Sequence, residues 1–200
     1  MNFNAPPFAV RLFAISLLLV CASTAQLHGQ AGGGSETHFE WDGSYKSYLG
    51  SSVANAGDIN QDGVEDVMIA ATWEISAGVG RTGAVYVFSG LDGTQLLKLQ
   101  GLQDGATFGR SISTAGDMNG DGIPDLAVGA MFSDSGGLNN NGAAFVFSGA
   151  TGTLLYKWNG HFESSNLGRH VSNAGDLNQD GFDDLLVGER YAEAQGISYG

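Results

Sequence analysis

Between residues 107 and 165 the apolar and polar positions sort into four short runs separated by turn residues. Arg110 to Ala115 is small and polar, and Asp125 to Ala130 is apolar after its first residue. Ala143 to Ser148 is a nearly continuous apolar run, and Thr153 to Trp158 alternates. A short continuous run suits a strand covered on both faces, whereas alternation suits an outer strand with one face in water. Gly149-Ala150-Thr151-Gly152 is turn material that makes the last two runs a hairpin. The pattern predicts four antiparallel strands.

The same pattern recurs at a spacing of 59 residues, with no insertion or deletion. Gly83-Ala84-Val85-Tyr86-Val87-Phe88-Ser89-Gly90 falls on Gly142-Ala143-Ala144-Phe145-Val146-Phe147-Ser148-Gly149. Leu49-Gly50, Phe108-Gly109 and Leu167-Gly168 coincide, and Trp73, Phe132 and Tyr191 share one aromatic position. The units run from about 48 to 106, 107 to 165 and 166 to 200, the last incomplete. His38 to Asp42 reads as the outer strand of a preceding unit, off register by one residue. Four antiparallel strands at fixed period predict an all-β fold of β-propeller blades over residues 37–200. The small residues of each first strand suit a crowded central axis. A solenoid of parallel strands fits less well, because its coils are usually shorter and carry no such hairpins.

The segment ahead of the repeats reads differently. Arg11, the apolar run Leu12 to Val20 and the small residues Ala22-Ser23-Thr24-Ala25 have the order of a secretory signal peptide over residues 1–25. The run is too short to span a bilayer. Cleavage is expected after Ala25, with Ala31 as the alternative site, and residues 26–36 are expected to be a flexible connection. Cys21 is the only cysteine, so the mature chain has no disulfide, thiolate metal site or cysteine nucleophile. Val20 before it does not suit a lipid-anchor signal.

Charge narrows the partners. The chain has 8 Lys and Arg against 21 Asp and Glu, a net charge of −13, and loss of Arg11 makes it more acidic still. No basic patch is available to release phosphate counterions, which excludes nucleic acid and anionic membrane as partners. The acidity is concentrated. Each unit carries a nine-residue loop between its first two strands: Asp58 to Asp66, Asp117 to Asp125 and Asp176 to Asp184.

These loops place oxygen at the first, third, fifth and ninth positions, and a glycine at the sixth. The candidate ligands are Asp58, Asn60, Asp62 and Asp66, then Asp117, Asn119, Asp121 and Asp125, then Asp176, Asn178, Asp180 and Asp184. The main-chain carbonyls of Val64, Ile123 and Phe182 are free to join them. A hard cation that accepts six to eight oxygens in a forgiving geometry suits such a set, which points to about three Ca²⁺ sites. Gly63, Gly122 and Gly181 permit the sharp turn. An EF-hand needs a glutamate at the twelfth place. Ile69, Val128 and Val187 stand there instead, each within an apolar strand. The shell is full of protein oxygens, so the sites are expected to be structural.

Phe108-Gly109, the calcium loop, Gly129-Ala130-Met131 and Val85-Tyr86-Val87-Phe88 resemble the FG-GAP repeats of the integrin α-chain propeller and of many secreted bacterial proteins. The resemblance implies a propeller that typically closes with seven blades, with calcium in the hairpin loops of one face. It also implies a secreted or cell-surface protein in adhesion or extracellular interaction, with a protein or carbohydrate ligand. Leu49 and Leu167 replace the phenylalanine, and Ala70-Ala71-Thr72 and Gly188-Glu189-Arg190 replace the second triplet. Three units cannot close a ring, so further blades or other copies are required.

No catalytic residues are expected and the chain reads as a non-enzyme. No His-Glu-x-x-His, Gly-x-Ser-x-Gly or phosphate loop occurs, and His28, His38, His161 and His170 are scattered. Trp41, Trp73 and Trp158 read as blade-packing residues, and Asn139-Asn140-Asn141-Gly142 as a tight loop. The alternative reading is an accessory propeller module of a secreted hydrolase or lyase whose catalytic domain lies elsewhere.

Overall fold

The structure is a computed structural model and describes residues 22–29, 37–190, 192–194 and 197–199. The expected leader core Leu12 to Val20, with Arg11, Cys21, Ala31 and Tyr191, lies outside the described residues.

All regular structure among the described residues is strand. β1 (Ala22–Gly29) and β2 (Thr37–Tyr45) form a hairpin. β3 (Leu49–Gly57) and β4 (Asp66–Ala71) follow, then a small hairpin of β5 (Ile75–Ser76) and β6 (Gly80–Arg81), then β7 (Ala84–Phe88) and β8 (Gln95–Gln100). The next unit has β9 (Ser111–Gly116), β10 (Asp125–Ala130), β11 (Ala143–Phe147) and β12 (Leu154–Asn159). β13 (His170–Gly175), β14 (Asp184–Gly188), β15 (Ala192–Ala194) and β16 (Ile197–Tyr199) complete the order.

β3-β4-β7-β8 and β9-β10-β11-β12 are two four-stranded antiparallel sheets of identical topology. β13 and β14 form the first half of a third. These sheets are propeller blades, and those described do not close a ring. The four predicted runs of the second unit are all strands, shifted by a residue at some ends. β10 is buried along its whole length between β9 and β11, as its small and apolar residues require. β12 is largely exposed on the outside.

The first strands β3, β9 and β13 stand side by side, which places them at the axis. Their serines have a specific task there. The Val171 N–H donates to Ser111 Oγ at 3.0 Å and the Asn173 N–H to Ser113 Oγ at 3.4 Å, so the hydroxyls satisfy backbone donors of the next blade.

Between the blades lies one apolar wedge. Phe108 is 3% exposed and meets Phe145 and Phe147 edge-on at 5.6 and 5.9 Å, with Leu99, Leu126 and Val128 around it. Burying such a ring contributes about 2–3 kcal/mol. Leu49 and Leu167 occupy the same place in their units and are also buried. Next to this wedge the backbones touch. A side chain on Gly129 would lie 1.9 Å from the carbonyl oxygen of Gly168 in the following unit.

β1 and β2 complete the picture at the other end. Ala25 pairs with Trp41 and Leu27 with Phe39, in the register of Ala84 with Gln100 and Tyr86 with Lys98. The hairpin thus stands as strands three and four of a preceding unit, with His38 to Asp42 inside the outer strand as expected. Trp41 stacks on Phe88 at 4.6 Å, and its Nε1–H donates to the Gly93 carbonyl at 3.0 Å. β1 runs through Ala25 and into the stretch expected to be a flexible connection.

Candidate metal loops

The three acidic loops fold alike. At the first place, Asp117 accepts from the N–H groups of Gly120, Asp121 and Gly122 at 2.7–3.1 Å. Asp58 accepts from Asp62 and Gly63, and Asp176 from Asp180 and Gly181. At the third place, Asn60, Asn119 and Asn178 each accept from the N–H of the fifth residue. Asp62, Asp121 and Asp180 at the fifth place accept from the N–H groups of Val64, Ile123 and Phe182 at 2.9–3.0 Å. Gly63, Gly122 and Gly181 have φ of 89°, 81° and 92°, as the turn requires. The fourth place is left-handed as well: Gln61 at 59°, Gly120 at 76° and Gln179 at 62°. A glutamine carries no signal for that conformation, so sequence reasoning did not find it.

The ninth residue does more than close the loop. Asp66 and Asp125 are buried, and each carboxylate spans two segments. Asp125 takes the Met118 N–H at 2.9 Å and the Gly149 N–H at 3.2 Å, tying the loop to the turn after β11. Asp66 binds Ile59 and Gly90 in the same way, and Asp184 accepts from Leu177. Gly149 is obligatory, since a side chain there would lie 1.9 Å from the Pro124 carbonyl oxygen. Its bracing role was not read from the sequence, although the repeated Ser-Gly after the third strand marks the position.

Electrostatics single out the same residue. Burial pushes the Asp125 carboxyl up to about 6; its backbone hydrogen bonds oppose the shift, and the nearby Asp121 and Asp117 add to it. Asp66 is raised as well, again chiefly by burial, with Asp62 contributing.

The donor set fits a hard cation. Among the described residues, no three His, Cys, Asp or Glu side chains gather on one point as a metal site. The loop carboxylates turn onto the loop's own N–H groups. The Asn119 amide nitrogen donates to Asp121 at 2.9 Å and to Asp125 at 3.4 Å, so a neutral amide bridges these two carboxylates. Asp117, Asn119, Asp121 and Asp125, with the Ile123 carbonyl, would hold the ion, and the other two loops would do so with the same places. All donors are oxygen, as calcium prefers.

Neighbouring loops also touch. A side chain on Gly57 would meet the Pro124 ring at 2.6 Å, and one on Gly116 would meet the Asp183 carboxylate. Residue eight of the second and of the third loop thus rests on the glycine that precedes the loop before it.

The opposite loops carry other chemistry. A groove of about 600 Å³ is lined by Trp73, Arg81, Asp104 and Phe132, with the Arg81 guanidinium 4.8 Å from the Trp73 ring centre. Trp73 and Trp158 are each 40% exposed, so only Trp41 packs between sheets as expected. Asn140 is left-handed and Asn141 is buried, donating to the Gly160 carbonyl and Ser135 Oγ. One network escaped sequence reasoning: Glu74, 9% exposed, accepts from Ser44 Oγ at 2.7 Å and Tyr86 Oη at 3.1 Å and pairs with Lys98 at 3.5 Å. Its only signal was the departure from Ser133 at the equivalent place. His161 approaches Glu189 at 4.0 Å on the surface, and His170 is an exposed residue of β13. No helix of the described residues is long and apolar enough to cross a membrane.

Comparison with known proteins agrees with this geometry. The FG-GAP repeat matches residues 49–88, 108–147 and 167–199, which together exceed half of the chain. Integrin alpha-5 of Xenopus laevis is 34% identical over 157 residues, 71% of this chain and 15% of that protein. Integrin alpha-PS5 of Drosophila melanogaster is 36% identical over 161 residues, 74% of this chain and 15% of the relative. Integrin alpha-4 of Xenopus laevis is 40% identical over 109 residues, covering 50% and 10%. The chain spans no more than 15% of the length of these curated relatives. Three matched units, each with its loop between the first two strands of a blade, make this chain a member of the FG-GAP repeat family, similar to the integrin α propeller.

Proposed function

We propose that the chain is a calcium-stabilised propeller segment that acts outside the cell in adhesion or ligand interaction. The observation that carries this reading is the threefold recurrence of one loop fold, in which the side chains at the first, third and fifth places accept from the loop's own N–H groups, on blades similar to those of integrin α chains. Calcium neutralises carboxylates crowded into one turn and so holds the first two strands of each blade together. Its role is structural. At ~10⁻³ M extracellular calcium, a site of ~10⁻⁴ M affinity adds about 1.4 kcal/mol of stability by mass action. The apolar run of residues 12–20 supports export to such a medium.

Calorimetric titration with calcium tests the metal assignment. The chain takes up about three ions, and the Asp117→Ala, Asp121→Ala double variant takes up one fewer with a lower unfolding temperature. Unchanged stoichiometry removes the assignment. Attachment of cells to surfaces coated with the chain, lost on chelation, tests the adhesive role.

A further inference from the structure

Successive seams between units present the same places with different side chains. Between β2 and the first blade, a groove is lined by Glu74, Tyr86, Phe88 and Gln95. Between the first and second blades, a pocket of about 180 Å³ is lined by Ser133, Phe145, Phe147 and Leu154, which stand 59 places further on. Both blades of this second seam are complete four-stranded sheets.

The changes from one seam to the next run in one direction. Glu74 gives way to Ser133, Tyr86 to Phe145 and Gln95 to Leu154, so a carboxylate, a phenol and an amide are all lost. Ala106, Phe108 and Ala130, all buried, extend the apolar wall. Ser133 leaves room where the longer Glu74 side chain lies, and its hydroxyl donates to Gln103 Oε1 at 2.9 Å. The aromatic floor is also less covered. Phe88 lies under the Trp41 indole and is 7% exposed, whereas Phe147 is half-buried.

One group does not change. Lys98 and Lys157 stand at the same place, with their ammonium groups 4.9 Å from the Tyr86 ring centre and 5.4 Å from that of Phe145. Lys98 pairs with Glu74 at 3.5 Å. Lys157 has no carboxylate partner among the described residues, and no acid lines the pocket that it borders. In a chain with 21 acidic against 8 basic residues, a pocket with a cation and no acid stands apart.

We propose that this pocket binds a small aromatic carboxylic acid, its ring against Phe145 and Phe147 and its carboxylate on the Lys157 ammonium, as Glu74 lies on Lys98 in the first seam. An apolar cavity of ~150 Å³ holds one benzene ring, so this pocket takes a single ring with its acid arm. Ring against ring gains from edge and offset contacts as well as from the area buried. The carboxylate sets the orientation, because the pocket is charged only at Lys157. The earlier seam refuses the same ligand, since Glu74 already holds Lys98 and Glu40 and Asp42 line that groove. No wall of the pocket comes from an acidic loop, so the site stands or falls apart from the calcium reading.

Calorimetric titration of the full chain with phenylacetate in calcium buffer tests the site, with one molecule bound per chain. Phenylacetamide, which keeps the ring and lacks the charge, is expected to bind more weakly than the acid. Lys157→Gln weakens phenylacetate by about three- to tenfold, the range for a partly exposed charged contact, and leaves phenylacetamide unchanged. Ser133→Glu rebuilds the carboxylate of the first seam and expels phenylacetate, with an unchanged circular dichroism spectrum as the check on folding. Lys157 is exposed, so its variant keeps the fold whatever Ser133→Glu does. No saturable binding of phenylacetate up to about 10 mM overturns the proposal. So does equal affinity for the acid and the amide, or a Lys157→Gln chain that binds the acid as the parent does.

Discussion

Gln61 and Gln179 hold a backbone conformation that Gly120 adopts freely at the same place of the second loop. A residue with a Cβ sits in the left-handed region at a cost of ~1–2 kcal/mol, and glycine returns ~0.5–1 kcal/mol of that through its larger loss of chain entropy on folding. Gln179→Gly therefore stabilises the calcium-free chain by about 0.5–1 kcal/mol, read as a higher urea midpoint. Asp125 makes a prediction about pH. Its folded value of about 6 lies above the ordinary 3.8, so the folded state keeps a proton that the unfolded state has released. Stability of the calcium-free chain is helped by this group at low pH and falls as pH rises from about 4 to 6. Urea unfolding at pH 4.5 and 6.5 measures the loss, and Asp125→Asn removes this contribution. Calcium needs the carboxylate, so its binding in that window releases protons into a weakly buffered solution.

At the scale of a strand pair, the loop is anchored at a point remote in sequence. Gly149→Ala sets a methyl group against the Pro124 carbonyl and pulls the Gly149 N–H from Asp125, which costs about 1–3 kcal/mol, as other overpacked sites do. Thermal unfolding reads this. That anchor also shows where sequence reasoning stops. The strands and loop places were legible because each repeats at 59 residues, and three copies separate pattern from accident. The bond from Gly149 to Asp125 joins positions 24 apart, and nothing in local composition reports such a pairing. Glu74 with Tyr86, Lys98 and Ser44 occurs once, so repetition could not reveal it. Strand ends slipped by one residue near Arg110, whose N–H turns aside to the Gly129 carbonyl before the ladder begins.

In the whole molecule, the loops form a row in which residue eight of one rests on the glycine before the last. Chelation therefore loosens more than single turns. Hydrogen exchange in calcium and in chelator is expected to show lost protection across β3-β4, β9-β10 and β13-β14, with the outer hairpins β7-β8 and β11-β12 less affected. Equal protection in both conditions would remove calcium from the account of order. The contact of Gly129 with Gly168 bears on the molecule in another way. Main chain meets main chain there, whereas at the preceding seam the Ala70 methyl group stands against Gly109. At both seams the smallest residues set how near two neighbouring sheets stand, and a bulkier one would wedge them apart.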